Sequence, residues 1–198
     1  DRSKLIESMN DIEFASDKLY NNAKNILDWM KFQNNKINPQ LHHIAVHEYI
    51  DEIIEPLKGM ADIKHISIIN HVDEEDMIIT DRNIFMIILQ NVLTNAIKYT
   101  EKGRIQFSAA ADHLKYTITV EDTGIGMSKE TLDEIQRIKT GAASDPKRIK
   151  RDTDIGNQLG YIIISDLLDM IGGDFKIVSF PGIGSKVTIL IPQSENNE

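Results

Sequence analysis

A polar stripe along one apolar helix limits how this chain can fold. The run DRNIFMIILQ, residues 81–90, is apolar enough to be buried, and it continues into NVLTNAIKYT, residues 91–100. Asn91, Asn95 and Lys98 are spaced i, i+4 and i+7, so they share one face of a helix. Because a buried amide without a hydrogen bond costs roughly 1–3 kcal/mol, this core helix must border other polar groups.

The three side chains of the stripe are of types that bind phosphorylated ligands. An asparagine oxygen can coordinate Mg2+, and a lysine can neutralise a phosphate. The alternative interpretation is that the amides only hydrogen-bond neighbouring loops. The stripe alone leaves both open.

Composition narrows the choice of partners. The 198 residues are 41% hydrophobic, enough for one core and an appendage. A net charge of -9 argues against nucleic acid as the main partner, because counterion release needs a broad basic face. The lack of cysteine excludes disulfides, thiolate zinc sites and cysteine nucleophiles. No apolar run approaches the roughly 18 residues of a membrane span. The chain begins at Asp1 rather than Met, so we expect a piece of a longer protein.

The predicted domains are a long helix and one compact domain. Apolar residues recur every seven positions near the start of the chain, at Leu5, Ile12, Leu19 and Ile26. This repeat is typical of a helix-bundle seam, although an ordinary long helix is the alternative. We predict a helix over 1–36, a linker over 37–44, a domain over 45–193 and a tail over 194–198.

The domain shows mixed periodicities. We predict helices over 47–64, around the polar stripe and over 158–171, the last of them stopped by Gly172 and Gly173. Strand candidates are ISIINHV, MIIT, the hairpin RIQFSAA with KYTITVE, and the closing pair DFKIVSF with KVTILIP. The pattern predicts an α+β fold: a two-layer sandwich with a mixed, mostly antiparallel sheet and helices on one face.

Glycine-rich segments lie at the ends of these predicted elements. In VEDTGIGM, Asp122 ends a strand and is followed by Gly124 and Gly126, so a carboxylate acceptor stands beside a backbone that a flat ligand can approach. In DIGNQLGY, Gly156 and Gly160 lead into a helix whose first N–H groups could bind phosphate. The plainer alternatives are an acidic turn and an ordinary helix start.

The order and spacing of these motifs are more specific than any one of them. An N-x-x-x-N-A-x-K-Y helix, D-x-G-x-G, a glycine pair opening a helix, and G-x-G-S before the last strand resemble the catalytic and ATP-binding domain of histidine kinases. That domain has the Bergerat fold of the gyrase, Hsp90, histidine kinase and MutL superfamily. The resemblance covers residues 45–193, and the leading helix resembles the second helix of the kinase dimerisation hairpin.

The resemblance implies a site for ATP and Mg2+. At the phosphate end, Asn95 would bind the metal, Asn91 would line the phosphates and Lys98 would contact them. At the base end, Asp122 would accept from the adenine amino group, assisted by Thr188 through water. The remaining expected site residues are Tyr99 against the adenine or ribose, and Gly124, Gly126, Gly156 and Gly160 for backbone room and N–H groups.

The resemblance also implies a reaction and partners. The γ-phosphoryl group would pass to a histidine on an upstream segment, and then to an aspartate of a response-regulator receiver domain. Members that hydrolyse ATP carry a glutamate where Asn91 stands, and an amide cannot act as that base. We expect a homodimer through the N-terminal helix and a cytoplasmic location, with any membrane anchor outside this segment. Contacts of the segment with nucleic acid or membrane are not expected.

The chain departs from the family pattern in three places. None of its six histidines fits the phosphoacceptor motif; His47 begins one correctly, but Asp51 stands where Thr or Asn belongs. Gln158 replaces the middle glycine of the second glycine motif. The phenylalanine motif expected within 132–154 is missing, and four basic residues there (Lys147, Arg148, Lys150 and Arg151) could close over the phosphates or be solvated. The alternatives are therefore a degenerate kinase that binds nucleotide or only dimerises, and a superfamily ATPase.

Overall fold

A computed structural model describes residues 39–140 and 155–193, with the backbone alone for 155–159. The predicted N-terminal helix, the tail and the basic residues between 141 and 154 lie outside the described residues. The described elements, in chain order, are β1 (Leu41–Ala45), α1 (Val46–Ile54), one turn of 3-10 helix (Glu55–Leu57), α2 (Lys58–Ile63), β2 (Ile66–Asn70), β3 (Met77–Asp81), α3 (Arg82–Tyr99), β4 (Gly103–Ala111), β5 (Lys115–Asp122), α4 (Lys129–Lys139), α5 (Ile155–Met170), β6 (Asp174–Phe180) and β7 (Gly184–Pro192).

A five-stranded sheet forms one layer, in the order β2-β4-β5-β7-β6. Only β2 and β4 run parallel; the other neighbours are antiparallel, and both predicted hairpins are present. One sheet face buries alternate residues such as Phe107, Ile118 and Ile189, and these belong to one hydrophobic cluster with the helices. Successive strand residues point to opposite faces, so the other face carries polar side chains such as Lys186. The predicted α+β sandwich is confirmed.

The helical layer is centred on α3, whose apolar sides are buried. The rings of Tyr49 on α1 and Phe85 on α3 stack with centroids 5.4 Å apart. Strands β1 and β3 form a separate antiparallel ribbon, and β3 leads directly into α3. No helix in the described part of the chain is long and apolar enough to cross a bilayer.

Four details differ from the sequence-based predictions. The helix predicted over 47–64 is divided into α1 and α2 by the 3-10 turn that holds Pro56, which lacks the N–H that a helix interior requires. Strand β1 lies largely within the predicted linker, because it pairs with β3. Helix α4 was not predicted; it begins after Ser128, whose hydroxyl caps the Thr131 N–H. Helix α5 begins at Ile155, three residues before the predicted start.

Candidate functional site

A cavity of about 210 Å³ lies between the helices α3, α4 and α5 and the buried ends of β5 and β7. Its wall is mainly apolar, with Val92, Val120, Ile135, Met127 and Val187 among its side chains. Its polar lining includes Asn95, Tyr99, Asp122, Tyr161 and Ser185. An apolar cleft with a few convergent polar groups is the usual form of a small-molecule site.

Helix α3 is held at both ends, which fixes the direction of its polar stripe. At its start, the Asp81 carboxylate accepts from the N–H groups of Asn83 and Ile84 at 2.9 and 3.0 Å. At its end, Lys64 Nζ donates to the carbonyls of residues 97, 98 and 100 at 2.8, 3.0 and 3.3 Å. A cation there also complements the negative end of the helix dipole.

The two asparagines of the stripe have different surroundings. Asn91 is 7% exposed, and its Nδ2 donates to the carbonyl of Ile87 at 2.8 Å. Asn95 lines the cavity, and its buried Nδ2 has no hydrogen-bond partner among the described residues. A Cβ placed on Gly160 of α5 would lie 3.5 Å from Asn91 Oδ1 and from Asn95 Nδ2, so this glycine borders both amides. An amide can present either its oxygen or its NH2, so Asn95 can serve an oxygen-preferring metal or an anion.

Lys98 and Tyr99 complete the stripe at the end of α3. Tyr99 lines the cavity. Lys98 is exposed and lies outside the cavity lining, with its Nζ 4.8 Å from the centre of the Tyr99 ring. The geometry thus brings Asn95 and Tyr99 to the cavity, leaves Lys98 at its margin, and places Asn91 outside the lining, next to Gly160.

Asp122 ends β5 and lines the cavity from the sheet, whereas Asn95 lines it from α3. Asp122 Oδ1 accepts from the N–H of Gly124 at 2.8 Å and from the N–H of Ser185 at 3.3 Å. Burial raises the pKa of this carboxyl above its usual value, while the hydrogen bonds from Gly124 and Ser185 oppose that rise. The carboxylate is therefore both desolvated and fixed in orientation.

The loop after Asp122 requires its glycines. A Cβ on Gly124 would lie 2.4 Å from the carbonyl oxygen of Tyr99, which also accepts the Ile125 N–H at 3.0 Å. Gly126 has a φ of 69°, and a Cβ there would lie 2.0 Å from the carbonyl oxygen of Phe180. These close approaches fasten the loop to the end of α3 and to the β6–β7 hairpin.

The assignment of Thr188 to this site is wrong. Thr188 pairs with Thr119 in the sheet, and its neighbours Val187 and Ile189 are buried on the helical face. Because side chains alternate along a strand, Thr188 points to the opposite face from the cavity. Ser185 holds the position beside Asp122 instead. Ser185 and the apolar Val187 are two residues apart on one strand and therefore lie on the same face, and this spacing could have predicted the direction of Ser185.

The second glycine motif also differs from expectation. Since α5 begins at Ile155, Gly156 lies in its first turn, where backbone N–H groups lack helical partners. Gly160 lies further inside the helix, where its N–H belongs to the helical hydrogen bonds, so it supplies space rather than a donor. The side chain of Gln158 lies outside the described residues.

Sequence reasoning missed Tyr161, which is 5% exposed and lines the cavity. Its ring stacks on Phe175 with centroids 6.2 Å apart. Burial, together with the charge of Asp122 and the hydroxyl of Tyr99, raises the pKa of Tyr161. Tyr161 shares a helical face with Ile164 and Leu168, both buried, and this spacing could have predicted its inward direction.

Comparison with known proteins identifies the same region. Residues 80–195 match the family model described as histidine kinase-, DNA gyrase B-, and HSP90-like ATPase. The matched range begins just before α3 and includes both sides of the cavity.

The similar curated proteins are sensor histidine kinases. The chain is 26% identical over 175 residues to sensor histidine kinase AtsR of Burkholderia thailandensis, covering 86% of this chain and 28% of that protein. It is 28% identical over 172 residues to sensor histidine kinase YclK of Bacillus subtilis, covering 86% and 35%. Against RcsC of Escherichia coli it is 26% identical over 195 residues, covering 96% and 19%. The chain thus spans about a third or less of each of these relatives.

Solved structures share the fold. Full-length ShkA in complex with AMPPNP aligns with a TM-score of 0.72 at 23% identity, over 91% of this chain and 37% of ShkA. The nucleotide-free catalytic domain of histidine kinase ThkA aligns with a TM-score of 0.63 at 18% identity, over 78% of this chain and 96% of that domain. The family resemblance seen in the motifs is confirmed. The family model matches more than half of the sequence, so this chain belongs to the family of histidine kinase-, DNA gyrase B- and HSP90-like ATPases.

Proposed function

We propose that this chain is the ATP-binding catalytic part of a two-component sensor histidine kinase. It transfers the γ-phosphoryl group of ATP to a histidine on a segment outside this chain. The observation that carries the proposal is the cavity itself, which is lined both by the oriented carboxylate of Asp122 on the sheet and by the buried amide of Asn95 on α3. Membership of the ATPase family and the sensor histidine kinases among the relatives support it.

At the base end, Asp122 selects adenine. Both backbone N–H groups bond to Oδ1, so Oδ2 is the oxygen that accepts from the exocyclic amine of the base. A guanine carbonyl in that place would meet a carboxylate with no proton to donate. Val120, Ile135 and Val187 supply apolar walls for a flat ring, and Tyr99 lies against the base or the ribose.

At the phosphate end, Asn95 is the protein ligand of Mg2+. One amide fits this role, because Mg2+ usually takes one or two protein ligands and completes its shell with phosphates and water. Asn91, Lys98 and the first-turn N–H of Gly156 would bind the phosphate oxygens. When bound, the metal neutralises charge that develops on the transferred group.

Asn91 favours transfer over hydrolysis. Its Nδ2 donates to the Ile87 carbonyl, and an amide cannot remove a proton from water. Bound ATP therefore persists until a better nucleophile, the imidazole of a histidine, is brought in line. The chain's own contribution to the rate is positioning and charge stabilisation.

The partners follow from this role. We propose that the chain acts as a homodimer through its N-terminal helix, receives its phosphoacceptor helix from the intact protein, and supplies phosphate to a response-regulator receiver domain. A cytoplasmic location, where ATP is available, belongs to the same proposal. The names of the similar sensor kinases support these partners.

Two measurements test the proposal. Calorimetric titration with AMPPNP and Mg2+ is expected to show binding in the micromolar to sub-millimolar range. Mixing the chain with a dimerisation hairpin that carries a phosphoacceptor histidine, and with γ-labelled ATP, is expected to label the hairpin. A folded chain without detectable nucleotide binding would refute the proposal. Steady hydrolysis without labelling of the hairpin would point to an ATPase instead.

A further inference from the structure

Two serines lie behind Asp122 and connect it to the β6–β7 hairpin. Ser179 on β6 and Ser185 on β7 are opposite each other in the sheet, and they are 6% and 8% exposed. Their hydroxyl oxygens are 3.0 Å apart, and the Ser185 N–H donates to Asp122 Oδ1 at 3.3 Å. Ser185 thus links the Ser179 hydroxyl to the carboxylate through two hydrogen bonds.

Ser179 makes two further hydrogen bonds, one with the loop after Asp122 and one with the start of β7. The N–H of Met127, in the loop after Asp122, donates to Ser179 Oγ at 2.8 Å. The carbonyl of Gly184, at the start of β7, lies 3.0 Å from the same oxygen as an acceptor. One hydroxyl therefore joins the Asp122 loop to the hairpin. The Gly182 N–H reinforces the junction by donating to the Ile125 carbonyl at 2.7 Å.

Counting protons gives this chain of hydrogen bonds a direction. The Ser179 proton goes to the Gly184 carbonyl, which can only accept, so the Ser185 hydroxyl donates to Ser179 Oγ. The same oxygen accepts from the Met127 N–H, so Ser179 uses its one proton and both lone pairs on the loop and the hairpin. Hydrogen bonds that point the same way strengthen one another in a buried setting.

We propose that Ser179 is a positioning residue for nucleotide binding, which holds the Asp122 loop against the hairpin and fixes Ser185, whose N–H donates to the Asp122 carboxylate. The inference rests on the proposed function, because it assumes that Asp122 receives the adenine amino group. Ser179 lies behind the carboxylate and outside the cavity lining, so it acts through Ser185 and the loop.

The test compares three variants by calorimetric titration with AMPPNP and Mg2+ over a range of pH. Ser179→Ala removes the hydroxyl, Ser179→Thr keeps it on a side chain suited to strands, and Ser165→Ala removes an equally buried serine of α5. We expect Ser179→Ala to weaken binding about tenfold, since it takes a partner from buried polar groups. We expect Ser179→Thr to stay close to wild type and Ser165→Ala to bind like wild type.

The pH profile separates positioning from a general loss of structure. Without Ser179, the Ser185 N–H and the Asp122 loop are held less firmly, so the ionised form of Asp122 is less stabilised and the acid limit of binding moves to higher pH. The other ionisable groups around Asp122 are Tyr99, Tyr161 and Glu134 in the cavity and Glu121 beside it on β5. These groups and the ionisable groups of the ligand are the same in every variant, so a difference between the pH profiles reports on Asp122.

Each result decides between the proposals. Wild-type affinity and an unchanged acid limit in folded Ser179→Ala would overturn the role of Ser179 and leave the proposed function standing. No binding by the wild-type chain would overturn both. If Ser179→Ala does not fold, Ser179→Cys, which is close in size and a weaker hydrogen-bonding group, must show the same shift in the acid limit for the inference to stand.

Discussion

The two ends of the cavity are built differently. At the proposed base end, Asp122 is oriented by two backbone N–H groups, and the loop after it is fastened to the end of α3 and to the β6–β7 hairpin. At the proposed phosphate end, Asn91 is engaged with its own helix, whereas the buried Nδ2 of Asn95 has no partner among the described residues. Burying such a group without a hydrogen bond is costly.

This difference indicates how the two ends gain their ligands. The groups at the base end are already ordered in the folded chain, so recognition of a flat ring needs little rearrangement. The phosphate end keeps polar groups that a charged ligand can satisfy. We therefore expect substitutions at the two ends to separate affinity for the base from affinity for the metal-bound phosphates.

The largest expected effect is at the base end. In Asp122→Asn, the amide oxygen would take the place of Oδ1 on its two N–H donors, which turns the NH2 toward the amine of adenine. Donor then faces donor, and we expect calorimetric titration with AMPPNP to show about a hundredfold weaker binding. Glu121→Gln, on the open face of the same strand, is the matched control and should bind like wild type.

The same substitution should not cost stability at neutral pH. Because burial raises the folded-state pKa of Asp122 above that of the unfolded chain, its contribution to the free energy of unfolding is fully present below the unfolded-state pKa. That contribution is lost as pH rises through the folded-state value. Chemical denaturation at several pH values should therefore show that the free energy of unfolding of Asp122→Asn rises relative to that of wild type as pH rises. A fall in this difference with rising pH would contradict the argument that burial destabilises the ionised carboxylate.

The next effect is at the phosphate end. Asn95→Ala removes the proposed metal ligand and leaves the base end intact. We expect AMPPNP to bind about tenfold more weakly in Mg2+, with little further loss when Mg2+ is withdrawn, while adenosine affinity is unchanged. Equal losses for adenosine and AMPPNP would show that Asn95 supports the whole cavity. Thr94→Ala, an exposed neighbour on α3, is the control.

A smaller effect is expected at the joint between the two ends. Lys64→Met removes three hydrogen bonds to the last carbonyls of α3, beside the point where the Asp122 loop docks on Tyr99. We expect the free energy of unfolding to fall by about 1–2 kcal/mol, and AMPPNP affinity to fall by about threefold. Lys102→Met, at an exposed position, should change neither. An unchanged denaturation midpoint for Lys64→Met would show that the helix end holds without the cap.

The smallest effect tests the corrected assignment on β7. Thr188 lies on the open face of the sheet, so Thr188→Val should leave nucleotide affinity unchanged. Ser185→Ala, three residues earlier and beside Asp122, should weaken binding several-fold, because the buried Ser179 hydroxyl that holds the Asp122 loop loses a partner. Titration of both variants with AMPPNP tests this assignment. Weaker AMPPNP binding by Thr188→Val than by wild type would support the original placement of Thr188 in the site.

Much of the site could be predicted because its residues follow a local period. The stripe of α3 was visible from the spacing of Asn91 and Asn95, and the Asp122 turn from a strand followed by two glycines. The predictions failed where a shift of one residue along a strand changes the face of the sheet on which a side chain lies. Along β7, the choice between Ser185 and Thr188 depends on which face packs against the helices, and composition alone left that open.

Other features depended on partners distant in the chain. Strand β1 has no strong pattern of its own and exists because β3 pairs with it. Tyr161 looked like an ordinary core residue of α5, and only the packing of α5 against α3 makes it part of the cavity wall. In the same way, nothing near Lys64 indicates that it would reach the end of α3, 33 residues further along.

The sequence by itself determined most of the elements, the polar stripe, the glycine turns and the family, because each depends on side chains a few residues apart. The tertiary structure decided which of those groups meet. It placed Asp122 across a cavity from Asn95, turned Thr188 away, and joined Ser179 and Ser185 behind the carboxylate. The physical reason is that burial and hydrogen bonding between distant segments are set by packing of the whole domain, which no local period encodes.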